Sequence, residues 1–228
     1  TLEKRDLSAR RVGAELKFPL VNADGTAADF TTVCRLWDYL EEQGWTADMD
    51  ESTGRVAGAR KPGPRNDTVA SCETGFCKPE FSLAHVDNLH DLEAEIEHLR
   101  EELQGFCEQE EVRFLCYGIQ PVSPPDEQLL IKKGRTGVWD KVFDEHPPTN
   151  ADLAPIPIGV HLFTVNAGSH VHTSADMDEA IPAVNVFNGF AGAQFALTAN
   201  SSVWRGEVDG GYKDVAEKLW DWWMPHGN

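Results

Sequence analysis

Residues 12–21 (VGAELKFPLV) alternate, with Val12, Ala14, Leu16, Phe18 and Leu20 on one side and Glu15 and Lys17 on the other. A period of two predicts a strand with a core face and a polar face. The turn-forming run 22–25 (NADG) ends it. From 30 to 43 the period lengthens. Phe30, Val33, Leu36, Trp37 and Leu40 make the stripe of an amphipathic helix, with Asp29 placed to cap its start and Gly44 its end. Residues 58–68 (GARKPGPRNDT) read as a loop rich in Gly, Pro and basic residues, and 69–82 (VASCETGFCKPEFS) as strand, turn and strand.

A second helix is expected over 88–104, where Leu89, Leu92, Ile96, Leu99 and Leu103 recur at helical spacing and Asn88 with Asp91 resembles a capping pair. Its Glu93, Glu95, Glu97, Glu101 and Glu102 read as a solvated face, not a metal site. Residues 112–119 (VRFLCYGI) predict a strand that runs into a Pro-rich loop. Alternation returns over 158–173, with Phe163, Val165, Ala167 and Val171 on one face and Thr164, Asn166, His170 and His172 on the other. The mostly apolar stretch 178–199 predicts a buried helix bent near Pro182, and a last amphipathic helix covers about 213–223. Strands and helices mix without βαβ regularity, so the expected fold class is α+β with a mainly antiparallel sheet.

Composition narrows the function classes. A chain of 228 residues suffices for one domain with a sizeable core, or two tight subdomains. The net charge of −18 argues against a nucleic-acid partner, which needs a basic surface, and against anionic membranes. No apolar run spans a bilayer, and the start (TLEKRDLSARR) has no apolar signal core. The five cysteines (Cys34, Cys72, Cys77, Cys107, Cys116) have no paired spacing for zinc, so reduced thiols in a cytoplasmic protein are expected.

Chemistry enters through a few residues. His170 and His172 are two apart on one strand face, so both imidazoles can address one metal ion. Glu15, Glu73 and Glu80 supply carboxylates, the ligands Mg²⁺ prefers when it bridges phosphate oxygens. Lys132, Lys133 and Arg135 form a small basic cluster in an acidic chain, suited to phosphate or carboxylate or simply to a solvated turn. Residues 199–206 (ANSSVWRG) end the apolar helix and open a polar loop.

Taken in order, these segments resemble a known family. The stretch 170–206 is similar to the histidine strand, long helix and Ala-Asn-Ser exit of bacterial carboxylate–amine ligases. VGAELKFPLV resembles their opening strand, ETGFCKPEFS their second carboxylate strand, and IKKGRTGVWDKVF the Lys-Gly-Arg segment of plant-type glutamate–cysteine ligases. The resemblance implies one ligase-like domain over 1–228, lacking part of the usual C-terminal region, with the sheet curled into a funnel and helices outside as in glutamine synthetase. It implies ATP with Mg²⁺ (or Mn²⁺), and glutamate or a similar acid joined to an amine such as cysteine, as in glutathione biosynthesis. Glu15, Glu73, Glu80, His170 and His172 would be metal ligands, with His172 alternatively a substrate contact. Arg135 would steady phosphate or a substrate carboxylate, while Asn200 and Arg205 would shape the nucleotide end of the site.

Two departures stand out. Lys17 occupies the second acidic position of the opening strand, where a charged lysine cannot ligate metal but can replace one metal's positive charge near phosphate. The pattern after Trp204 reads Gly211-Tyr212-Lys213-Asp214-Val215-Ala216, without the family's arginine. They leave two rival readings open: a noncatalytic relative that binds nucleotide or amino acid, and an unrelated metallohydrolase built on His170 and His172. A homo-oligomer is also open, because the cluster of Trp220, Trp222 and Trp223 suits either core or interface.

Overall fold

The structure is a computed structural model that describes residues 10–63, 65–134 and 160–223. Its elements are β1 (Val12–Lys17), β2 (Leu20–Val21), α1 (Phe30–Glu42), β3 (Thr46–Asp50), β4 (Arg55–Lys61), β5 (Thr68–Cys72), β6 (Pro79–Ser82) and α2 (Leu89–Glu110). There follow β7 (Arg113–Phe114), β8 (Gly168–Thr173), α3 (Met177–Thr198), β9 (Val203–Trp204), β10 (Glu207–Val208) and α4 (Val215–Trp223). Six strands form one sheet in the order β3-β4-β5-β6-β1-β8, antiparallel throughout. β2 with β7 and β9 with β10 make two short ribbons. The α+β class is therefore as expected. The described sheet is open, with β3 and β8 at its edges, and forms no closed funnel among the described residues.

One face of this sheet is the core. Ala14, Leu16, Ala59, Ala70 and Phe81 meet Val33, Leu36, Trp37 and Leu40 of α1 and Leu92, Leu99, Leu103 and Phe106 of α2, all buried. Each buried leucine or phenylalanine contributes about 1.5–3 kcal/mol relative to exposure. The caps read from the sequence are in place: Asp29 Oδ1 accepts from Thr32 N at 2.7 Å, and Asn88 Oδ1 from His90 N and Asp91 N at 3.0 Å. The opposite face, where Glu15 and Lys17 point, carries the polar groups considered below.

Several expectations change. The first strand stops at Lys17, because Pro19 has no N–H to continue the ladder; Leu20 and Val21 then pair with β7 instead. The stretch 58–68 divides: β4 runs on to Lys61, whereas 62–63 and 65–67 are loop as expected. Its charges are absorbed by ion pairs, Arg60 with Asp48 at 2.9 Å and Lys61 with Glu102 at 2.8 Å. Glu102 accordingly leaves the solvated face of α2, its side chain only 10% exposed. The strand expected over 112–119 shortens to Arg113–Phe114.

Residues 160–164 wind into a 3-10 turn, Asn166 makes an isolated bridge with Ile119, and the ladder with β1 begins at Gly168. Leu162, Phe163 and Val165 are buried, and Leu162 and Val165 build a second small core with Ile119, Val215 and Leu219. Trp220 packs on Phe163 with centroids 4.5 Å apart yet stays 45% exposed. The side chains of Trp222 and Trp223 lie outside the described residues.

The largest correction concerns the apolar helix α3. None of its residues is buried among the described residues; Ile181 is 74% exposed and Leu197 86%. Hydrophobicity on all sides says only that a helix is better off covered. Whether a partner element reaches it is settled by tertiary placement, and α1 and α2 already occupy the sheet's apolar face. No helix among the described residues is long and apolar enough to cross a membrane.

Candidate functional site

The site forms where β1 lies between β6 and β8. Antiparallel register sets His170 opposite Glu15 and His172 opposite Gly13 on one side of β1, and Glu80 opposite Lys17 on the other. Alternation then points Glu15, Lys17, Glu80, His170 and His172 to the same face. Glu73, in the turn just after β5, reaches the same place. The carboxylates and imidazoles proposed from the sequence therefore do converge.

They converge as two groups. In the first, Glu15 Oε2 is 2.8 Å from His170 Nδ1 and Oε1 is 3.4 Å from His172 Nε2. One ligand atom from each of the three lies within 4.8 Å of the others, close enough to hold one ion. The trio is open, with the histidine side chains 61% and 56% exposed and Glu15 33%. Two imidazole nitrogens and a carboxylate suit Mn²⁺ or Zn²⁺ better than Mg²⁺, which prefers an all-oxygen shell. The donor set fits a divalent metal, and Mn²⁺ is the better match of the two expected ions.

In the second group, Lys17 Nζ sits 2.6 Å from Glu73 Oε2 and 2.9 Å from Glu80 Oε2. The Lys17 and Glu80 side chains are only 11% and 10% exposed. Burial alone lowers the Lys17 pKa, but hydrogen bonds and charges from Glu73 and Glu80 outweigh it and the net shift is upward. The ammonium is therefore charged at neutral pH.

Below these groups lies a lysine that the sequence reading passed over. Lys78 is 3% exposed and donates to the carbonyls of Phe163 at 2.6 Å and Asn166 at 2.5 Å. Burial first, then the nearby Lys17 charge, pushes its pKa down to about 8. It ties the turn before β6 to the segment that delivers β8, and so helps to place both histidines. Gly75 serves the same junction, because a Cβ there would run into the carbonyl of Thr164. The available signal was a lysine among apolar neighbours in FCKPEF, a pattern in which a charge must be buried with partners.

The remaining candidates lie elsewhere. Arg135 is outside the described residues. Lys133 Nζ donates to the carbonyl of Cys72 at 2.9 Å, anchoring its segment, whereas Lys132 is exposed. Asn200 Nδ2 donates to Cys116 O at 2.6 Å. Arg205 and Gly206, at φ 56° and 79°, form the two-residue turn joining β9 to β10. Neither Asn200 nor Arg205 forms a hydrogen bond or ion pair with the Glu15 or Lys17 groups among the described residues.

Arginine is unfavourable at positive φ, where asparagine is tolerated better. Arg205→Asn is expected to raise stability by about 0.5–1 kcal/mol in urea unfolding. An unchanged or lower unfolding midpoint would show that the turn holds Arg205 without strain.

The comparisons with known proteins bear on this geometry directly. The family model for glutamate-cysteine ligase family 2 (GCS2) matches residues 12–227, a span that includes both groups and the strands that carry them. This chain belongs to glutamate-cysteine ligase family 2. No curated protein matches it. Membership in the glutamate-cysteine ligase family points to a carboxylate–amine ligase type of chemistry and removes the reading as an unrelated metallohydrolase. For a family 2 member the Glu15 trio is then the group to test for metal, and Lys17 is a cation placed beside it.

Proposed function

We propose that this protein is an ATP-dependent carboxylate–amine ligase that activates glutamate or a similar acid as an acyl phosphate and transfers it to an amine such as cysteine. The observation that carries this reading is the meeting of Glu15, His170 and His172 with Lys17, Glu73 and Glu80 on one sheet face of a GCS2 chain. A divalent ion bound there would offset charge on the nucleotide's phosphates as phosphoryl transfer proceeds. Glu15, His170 and His172 would hold it. Lys17 stands beside them as a fixed ammonium, buried enough to act strongly on a nearby phosphate or carboxylate. All five cysteines are free thiols, in keeping with a reducing cytoplasm.

The proposed reaction has two steps. The acid's carboxylate attacks the γ-phosphate of ATP and ADP leaves. The amine then attacks the acyl carbon, phosphate departs and the amine gives up a proton. Purified protein with Mn²⁺ or Mg²⁺, ATP, glutamate and a panel of amines should release phosphate only when a suitable amine is present. Glu15→Gln should lower that release by about 100-fold or more. Silence with every amine, while ATP still protects against heat, would instead assign the chain to nucleotide binding without turnover. The pairing of Lys17 with both Glu73 and Glu80 is the feature that favours this second reading.

A further inference from the structure

Glu73 and Glu80 form the half of the site that looks most like a cation holder, and a cation is already there. Lys17 and Glu80 are directly opposite on neighbouring antiparallel strands, so backbone pairing alone brings them together. Glu73 closes on the same ammonium from the turn after β5, and both contacts are within 3 Å. With Lys17 and Glu80 nearly buried, the ammonium has little room to withdraw. A divalent ion entering between these carboxylates would meet a fixed positive charge a few ångströms away, in a partly desolvated setting where repulsion is strong. The other half differs: among the described residues Glu15 pairs with His170 and His172, whose side chains are mostly exposed.

We propose that the Lys17 ammonium is a built-in cation filling the place between Glu73 and Glu80, so that this protein binds a single divalent metal ion, at Glu15, His170 and His172. The proposal rests on the metal-binding half of the ligase reading and not on turnover. It makes Lys17 a residue that sets metal number.

Titrating the full chain with Mn²⁺ and counting the free ion by electron paramagnetic resonance tests this without any activity. The wild type should bind one Mn²⁺, and Glu73→Gln should leave its affinity unchanged to about twofold, because that carboxylate holds the ammonium and no metal. Lys17→Gln should bind two, and Lys17→Gln with Glu80→Gln should return to one. Two ions in the wild type, none at all, or a folded Lys17→Gln that still binds one, each overturns the proposal. Should Lys17→Gln fail to fold, the Glu73→Gln titration decides: a loss of about tenfold or more in Mn²⁺ affinity overturns it. A wild type that binds one Mn²⁺ but releases no phosphate with any amine sinks the ligase reading and leaves this inference standing.

Discussion

Lys78→Met is expected to lower the unfolding free energy by about 3 kcal/mol, the largest effect of any single substitution considered for this protein. Methionine nearly fills the volume but cannot donate, so the carbonyls of Phe163 and Asn166 lose a charged partner in a buried setting. Urea unfolding with an unchanged denaturant slope would measure the loss; a change below about 1 kcal/mol would show that these bonds do not hold the junction. The variant should also weaken Mn²⁺ binding without touching a ligand, because the segment Lys78 secures leads into the histidine strand.

The same comparison carries a pH dependence with a definite sign. Lys78 has a folded pKa pushed down to about 8, below its ordinary 10.5, so between these values the unfolded chain binds more protons. Its contribution to stability therefore rises as pH climbs through that window. Cys72 and Cys77 act the other way. Burial pushes their thiols up to about 12 and about 11 from 9.0, so stability present below pH 9 is lost as pH rises through those values. The stability difference between wild type and Lys78→Met isolates the lysine and should grow from about pH 8 to 10.5.

The second large effect concerns the metal. At an Mn²⁺ concentration about a hundred times its dissociation constant, the wild type should gain about 3 kcal/mol, a rise in Tm of about 5–10 °C. His170→Ala should abolish that gain, since His170 Nδ1 makes the closest contact to Glu15 and the histidines project from an edge strand with no substitute donor in the trio. Differential scanning fluorimetry with and without Mn²⁺ reads it directly. An unchanged shift in the variant would take His170 off the ligand list and return the trio to an ordinary hydrogen-bonded cluster.

Elements whose periodicity coincided with local capping were legible in the chain itself. Phe30–Glu42 and the helix after Asn88 declared both their apolar stripes and their caps, and both are local in sequence. The pairing of Thr68–Cys72 with Pro79–Ser82 was likewise signalled by a short turn. Elements that depend on partners were not. The basic run through Arg60 and Lys61 looked like a loop because its compensating acids, Asp48 and Glu102, lie 12 and 41 residues away in sequence.

The candidate site divides along the same line. The sequence by itself determined which side chains share a strand face: Glu15 with Lys17, and His170 with His172, follow from a period of two. It also determined family membership, through the order of segments over 12–227. Only the tertiary structure decided that β8 pairs beside β1 in the register that sets His170 against Glu15, since register across 155 residues is fixed by packing and not by local pattern. It alone decided that Lys17 closes on Glu73 and Glu80, that Lys78 is buried beneath them, and that α3 stands uncovered among the described residues. Backbone propensity and alternation act over a few residues, whereas burial and charge pairing depend on which distant segments the fold brings together.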